Sequence, residues 1–218
     1  MLVVPTNFWR VSMSTVTVIG TGNMGTQIAG LAAKGGATVQ VLDRHVEKAE
    51  ALAASIAGTP GAVGEPITGD IVVLAVPYPA VAELVGTYGS QLAGRTVVDI
   101  TNPVDFATFD SLVVPAGSSA TEQIAAQLPS SAVLKAFNTN FAGTLASGTV
   151  GALPTTVLVA GDDAAAKAAF TEVFGSAITV VDAGSVRRAH ELEALGFLQM
   201  TLAAAEKIAW TGGFATVR

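Results

Sequence analysis

Three glycines, Gly20, Gly22 and Gly25, stand at the spacing GxGxxG, with Thr21, Asn23 and Met24 between them. A pyrophosphate is the ligand this spacing suits. The first glycine permits a tight turn, the second lets backbone approach a phosphate, and the third lets a helix pack on a strand. The helix that follows offers free N–H groups and the positive end of its dipole. Some eighteen residues past Gly25 comes Asp43, where a carboxylate ordinarily accepts hydrogen bonds from ribose hydroxyls. Arg44 and Lys48 follow it and supply charge suited to a ribose 2′-phosphate, with His45 between them beside the adenosine end. Three further short stretches close apolar runs: Ala75-Val76-Pro77, Thr101-Asn102-Pro103 and Asn138-Thr139. Ligands of doubly wound sheets bind outside the carboxyl ends of strands, so these stretches should line one crevice with the glycine loop.

The rest of the inventory excludes more than it offers. With no cysteine, the chain has no disulfide, thiolate nucleophile or cysteine-ligated metal, which fits a cytoplasmic protein. The two histidines, His45 and His190, have neither an HExxH pattern nor clustered carboxylates beside them, so no metal site is expected. A net charge of −6 without a basic run disfavours nucleic acid as a partner. No side chain presents itself as an acid–base catalyst, and none is expected to be catalytic.

Around these residues the chain alternates strand and helix. Strands are expected near 15–20, 37–43, 70–77, 95–100, 132–137, 155–160 and 178–181. Helices are expected at 23–34, 46–57, 79–88, 119–128 and 163–174. The segment 59–69 reads as a glycine- and proline-rich crossing, and 107–119 as a long loop of the kind that often carries function. A last long helix opens at Asp182 and carries two apolar rows, Leu192, Leu195, Leu198 and Leu202, and Phe197, Met200, Ala204 and Ile208. Apolar on two faces, it is read as a homodimer contact, with a fully internal helix as the alternative. The class is α/β: a doubly wound, mainly parallel Rossmann-like sheet with a C-terminal helical extension. Residues 1–12 form an N-terminal extension, 13–140 the dinucleotide-binding domain, and 141–218 an α/β and helical part packed on that same domain. The apolar run Leu2–Val4 is too short for a signal-peptide core or a membrane span, and Met13 could equally be the start.

In this order the pieces resemble the NADP-dependent oxidoreductases of the deazaflavin coenzyme F420. The matching motifs are Ile19-Gly-Thr-Gly-Asn-Met-Gly25, Asp70-Ile-Val-Val-Leu-Ala-Val-Pro77, Lys135-Ala-Phe-Asn-Thr139, Gly161-Asp-Asp163 and Asp182-Ala-Gly184 with the arginines after it. The resemblance implies NADP laid across the glycine loop, its nicotinamide ring near the loops after Pro77 and Asn138, and coenzyme F420 stacked on that ring. It implies hydride transfer between the two as the activity. The family tends to carry a small hydroxyl residue and then arginines where this chain has Asp43-Arg44-His45, so a modest preference for NADP is expected, with NAD still usable. The same residues also fit an NAD(P)H-dependent flavin or ferric reductase, or a dinucleotide sensor that catalyses nothing.

Overall fold

The computed structural model describes residues 14–217. The N-terminal extension 1–12 and the alternative start at Met13 lie outside the described residues. The chain opens with β1 (Thr15–Ile19), α1 (Asn23–Lys34), β2 (Thr38–Asp43), α2 (Val46–Ile56), β3 (Thr59–Ala62) and β4 (Ile71–Leu74). It continues through α3 (Tyr78–Leu92), β5 (Thr96–Asp99), α4 (Ala120–Gln127), β6 (Ala132–Lys135) and α5 (Ala142–Ser147). A small hairpin of β7 (Thr149–Val150) and β8 (Leu153–Pro154) precedes β9 (Thr156–Ala160), α6 (Ala164–Phe174), β10 (Thr179–Gly184) and α7 (Ala189–Ala204).

One eight-stranded sheet runs β3-β2-β1-β4-β5-β6-β9-β10. The first six strands pair in parallel; β9 meets β6 antiparallel and pairs in parallel with β10. From β1 the chain winds outward through β2 to β3, then returns to β4 on the other side of β1 and winds the opposite way. That reversal leaves a crevice beyond the carboxyl ends of β1 and β4, where neighbouring loops diverge. Both sheet faces are covered. Val16, Val18, Ile28, Leu31, Val41 and Phe170 belong to one apolar cluster, and Ile19, Leu42, Leu74, Leu84, Tyr88 and Ile124 to the other. Burial on both faces explains why β4 reads Ile-Val-Val-Leu without alternation, all four residues being buried.

Several elements depart from the sequence expectation. Thr59–Ala62 forms strand β3 at the sheet edge, within the stretch expected to be a plain crossing. Its Pro60 has no N–H to donate, which an edge strand tolerates. Helix α3 continues to Leu92, four residues beyond the expected end. β4 ends at Leu74 and β6 at Lys135, so Ala75–Pro77 and Ala136–Phe137 are loop. Asp182–Gly184 completes β10 instead of opening the last helix; a 3-10 turn over Val186–Arg188 intervenes, and α7 stops at Ala204, short of Ile208. Among the described residues, no helix is long and apolar enough to cross a membrane.

Candidate dinucleotide site

The glycine loop is built by close backbone approaches. Gly20 has φ +109°, and a Cβ there would stand 2.3 Å from the Ala75 carbonyl oxygen; a Cβ on Gly25 would stand 2.0 Å from the Gly20 oxygen. Both glycines are thus required by the fold, one by its conformation and both by space. Gly22 differs: its φ is −66°, and a Cβ would meet nothing within 4 Å. Backbone at Gly22 is therefore open to whatever approaches from the crevice. Thr26 N–H donates to the Gly22 carbonyl at 2.9 Å, the first bond of α1, so the N–H groups of Asn23, Met24 and Gly25 precede the helical ladder. No side chain caps this N-terminus.

Asp43, at the end of β2, ties the loop down. Its Oδ2 accepts from Thr21 N–H at 2.9 Å and from the Thr21 hydroxyl at 2.7 Å, and its Oδ1 accepts from His45 N–H at 2.9 Å. Half-burial pushes the carboxyl up, but the His45 and Thr21 hydrogen bonds, with help from the Lys48 charge, outweigh that and hold it below its usual range. The side chain thus faces Thr21 and the turn into α2; among the described residues it forms no ion pair with Arg44. A cavity of about 320 Å³ opens here, lined by Gly20, Thr21, Gly22, Asp43, Arg44, His45, Lys48, Ala75, Val76, Pro77 and, across from them, Glu83. Arg44, His45 and Lys48 are exposed at its mouth.

A second cavity of about 630 Å³ adjoins the first through Gly22, Ala75, Val76 and Pro77. Asn23, Met24, Thr101, Asn102 and Asn138 also line it. Of the sequence-derived candidates, three stand outside both cavities. Gly25 lies buried beneath the loop, Pro103 is buried with its carbonyl accepting from Val113 N–H, and Thr139 is buried, its carbonyl accepting from Gln199 Nε2 at 3.2 Å. The stretch 107–119 contributes no lining residue; its neighbour Phe106 does. That loop is closed on itself by Asp105 N–H to the Ser111 oxygen and Val113 N–H to the Pro103 oxygen.

The Lys-Ala-Phe-Asn-Thr motif makes a strained turn. Phe137 has φ +63°, and Asn138 N–H donates to the Ala136 oxygen at 2.8 Å. A left-handed conformation at a bulky residue costs about 1–2 kcal/mol. It persists because the Phe137 ring is fully buried against Phe170 and Phe174, at centroid distances of 5.3 and 5.2 Å. The turn delivers Asn138 to Asn102: Asn138 Nδ2 donates to Asn102 Oδ1 at 2.9 Å, and Asn102 Nδ2 to the Asn138 carbonyl at 2.8 Å. Helix α7 packs on this pair through Gly196, where a Cβ would come within 2.6 Å of Asn102 Oδ1.

Sequence reasoning missed a buried charge cluster under this floor. Lys135 Nζ lies 2.7 Å from Asp99 Oδ2 and 2.9 Å from Glu193 Oε1, all three side chains fully buried, and it donates to the Thr101 carbonyl at 2.6 Å. Thr121 hydroxyl donates to Asp99, and Ala120 N–H to Glu193, at 2.7 and 2.9 Å. Burial pushes the Glu193 carboxyl up, and the nearby Asp99 charge adds to that against the pull of Lys135. Tyr78, which lines the larger cavity, is raised by burial and by the Glu193 and Asp99 charges. A lone charge in an apolar strand was the available signal for two of them, Asp99 in Val-Val-Asp and Lys135 in Val-Leu-Lys; Glu193 shares α7 with Glu191 and gave none. Also unanticipated as lining were Tyr78, Phe106, Asn140, Phe141, Trp210 and Thr211. Among the described residues, no group of three or more metal-ligating side chains is present.

Residues 15–103, which carry the glycine loop and the first crevice loops, match the family described as NADP oxidoreductase, coenzyme F420-dependent. No curated protein is significantly similar to the chain in sequence. Among solved structures, a candidate F420-dependent NADP-reductase from Arthrobacter sp. FB24 is 27% identical, with a TM-score of 0.81, over 93% of this chain and 99% of its own. A hypothetical protein from Sinorhizobium meliloti is also 27% identical, with a TM-score of 0.71, over 82% of this chain and 89% of its own. An imine reductase from Bacillus cereus shares the fold at 18% identity and a TM-score of 0.64; 90% of this chain spans only 63% of that one. Over residues 15–103 the chain is thus similar to the coenzyme F420-dependent NADP oxidoreductases, and it is an NAD(P)-dependent oxidoreductase.

Proposed function

We propose that the protein moves hydride between NADP(H) and the deazaflavin coenzyme F420, as a homodimer in the cytoplasm. The observation that carries this reading is the meeting of two cavities at Gly22, Ala75, Val76 and Pro77. A dinucleotide laid along the first, with pyrophosphate on the open Gly22 backbone, reaches the second with its far end. Their volumes, about 320 and 630 Å³, suit an adenosine half and a pair of planar rings. When bound, NADPH supplies hydride and the deazaflavin takes it up, a transfer that needs aligned carbons and no protein nucleophile.

The chain's own residues then bind and orient. Arg44 and Lys48 attract the 2′-phosphate, while Asp43 is occupied in holding Thr21 and His45 N–H. Ile100, Phe137, Phe141 and Met200 give the larger cavity apolar walls that exclude water from stacked rings. Support for the homodimer comes from the exposed apolar side chains Leu198 on α7 and Trp210 and Phe214 beyond it. The test is anaerobic absorbance with NADPH and candidate acceptors. Bleaching of the deazaflavin but not of riboflavin derivatives is expected; nucleotide binding with turnover of no acceptor would overturn the reading in favour of a sensor.

A further inference from the structure

Three buried oxygens at the larger cavity have no hydrogen-bond partner among the described residues: Thr101 Oγ1, Asn138 Oδ1 and Asn140 Oδ1. Their residues are 4%, 5% and 7% exposed, and all three line that cavity. Buried polar atoms without partners cost about 1–3 kcal/mol each, so three around one cavity call for a ligand that pairs with them.

The chemistry of that ligand follows from what the amides already do. Asn138 Nδ2 donates to Asn102 Oδ1 at 2.9 Å and to the Leu192 carbonyl at 2.8 Å, which uses both of its hydrogens. Turning the amide over would set its oxygen against two acceptors, so Oδ1 is fixed as the free atom. Asn140 Nδ2 donates to the Thr156 carbonyl at 3.0 Å, which fixes its Oδ1 likewise. Two committed acceptors and one adaptable hydroxyl are therefore left unpaired on residues that line the cavity, and a carbonyl or phosphate oxygen would meet the two amide oxygens with no hydrogen between. We infer that Thr101, Asn138 and Asn140 form an acceptor edge that reads the N–H groups of an amide on the bound ligand. This inference rests on the proposed function, in which that amide is the carboxamide of the nicotinamide or the imide of the deazaflavin.

Calorimetric titration of the full chain with four probes tests it. NADP is compared with its 3-acetylpyridine analogue, which keeps the carbonyl and lacks the N–H groups; a deazaflavin is compared with the same ring methylated on its imide nitrogen. At least one pair is expected to differ by tenfold or more in affinity, and the pair that differs identifies the source of the amide. Thr101→Val removes only an unpaired hydroxyl, so the folded protein is expected to be retained while that discrimination shrinks at least threefold; Asn140→Leu should shrink it further. 2′-Phospho-ADP-ribose, which has no ring amide, should bind wild type and variants alike. Equal affinity within both pairs, beside normal binding of 2′-phospho-ADP-ribose, would overturn the inference alone. Failure of 2′-phospho-ADP-ribose to bind wild type would overturn the functional reading and this inference with it.

Discussion

Replacing Gly22 by valine separates what the glycine loop does for folding from what it does for binding. At φ −66° and ψ −178° the residue occupies extended backbone open to any side chain, and a Cβ meets nothing within 4 Å. Two small effects on stability oppose each other. Losing glycine's freedom in the unfolded chain stabilises by about 0.4–1 kcal/mol, whereas a residue that caps a helix worse than glycine costs about 0.5–1 kcal/mol. They offset, leaving a Tm within about 3 °C of wild type for a chain of this size. Binding should respond quite differently. The new side chain stands where a phosphate must come to reach the N–H groups of α1, and hydrogen bonds to a charged group are worth about 1.5–3 kcal/mol each. Two of them lost would weaken NADPH by about 10²- to 10⁴-fold. Gly25→Ala is the contrast, since its Cβ would lie 2.0 Å from the Gly20 carbonyl oxygen and backbone cannot yield as a side-chain tip can. That overpacking costs about 1–3 kcal/mol or more, so its Tm should fall. Thermal unfolding and nucleotide titration of both variants decide the matter. A folded Gly22→Val protein with NADPH affinity within about threefold of wild type would refute the reasoning.

Arg44→Ala should weaken NADPH at least about tenfold more than NADH if Arg44 takes the 2′-phosphate, as proposed, since only NADPH carries that group; kcat/KM for both coenzymes in wild type and variant measures it. Glu193 gives the fold a pH dependence whose sign follows from its raised carboxyl. The native protein holds that proton better than the unfolded chain, so the contribution is full below the ordinary value of 4.5 and is lost as pH rises through the folded value. Asp43, held low, acts oppositely: its contribution is present above 3.8 and lost as pH falls through its folded value. Urea midpoints between pH 4.5 and 8 should therefore decline less steeply in Glu193→Gln than in wild type. Gly196→Ala, an exchange that stabilises most helices by about 1 kcal/mol, should here lower kcat/KM by about tenfold or more, because its Cβ would come within 2.6 Å of Asn102 Oδ1 and displace the asparagine pair. Steady-state kinetics and a crystal structure of that variant check it.

Legibility in the sequence tracked the range of the interactions concerned. The glycine loop and the parallel core strands could be read because their causes are local: turn conformation, helix start and unbroken apolar runs. Strand β3 could not, since Thr-Pro-Gly-Ala contains two breakers in four residues. What makes it a strand is a neighbour, β2, to which Pro60 at the sheet edge owes no donor. The start of the last helix was misplaced for a similar reason. Asp182–Gly184 pairs with β9, and that pairing lies outside anything its own residues announce. Asn102 and Asn138 were legible as loop residues at strand ends, but not as reciprocal partners, which requires contact across 36 positions.

The buried cluster shows why a site with no evident acid–base residue still carries charged groups beneath it. Lys135, Asp99 and Glu193 arrive from β6, β5 and α7, three elements that also deliver Asn138, Asn102 and the Gly196 surface to the cavity. Removing Lys135 from this cluster would leave buried carboxylate charge uncompensated, at a cost of about 3–5 kcal/mol. The ions therefore fix how α7 sits against the carboxyl ends of β5 and β6. Lys135 also holds the Thr101 carbonyl at 2.6 Å, next to the asparagine loop. A hydride-transfer site needs its rings placed within fractions of an ångström more than it needs a proton donor. Ionic contacts between the elements that form the cavity wall meet that need without placing any of the three charges inside the cavity.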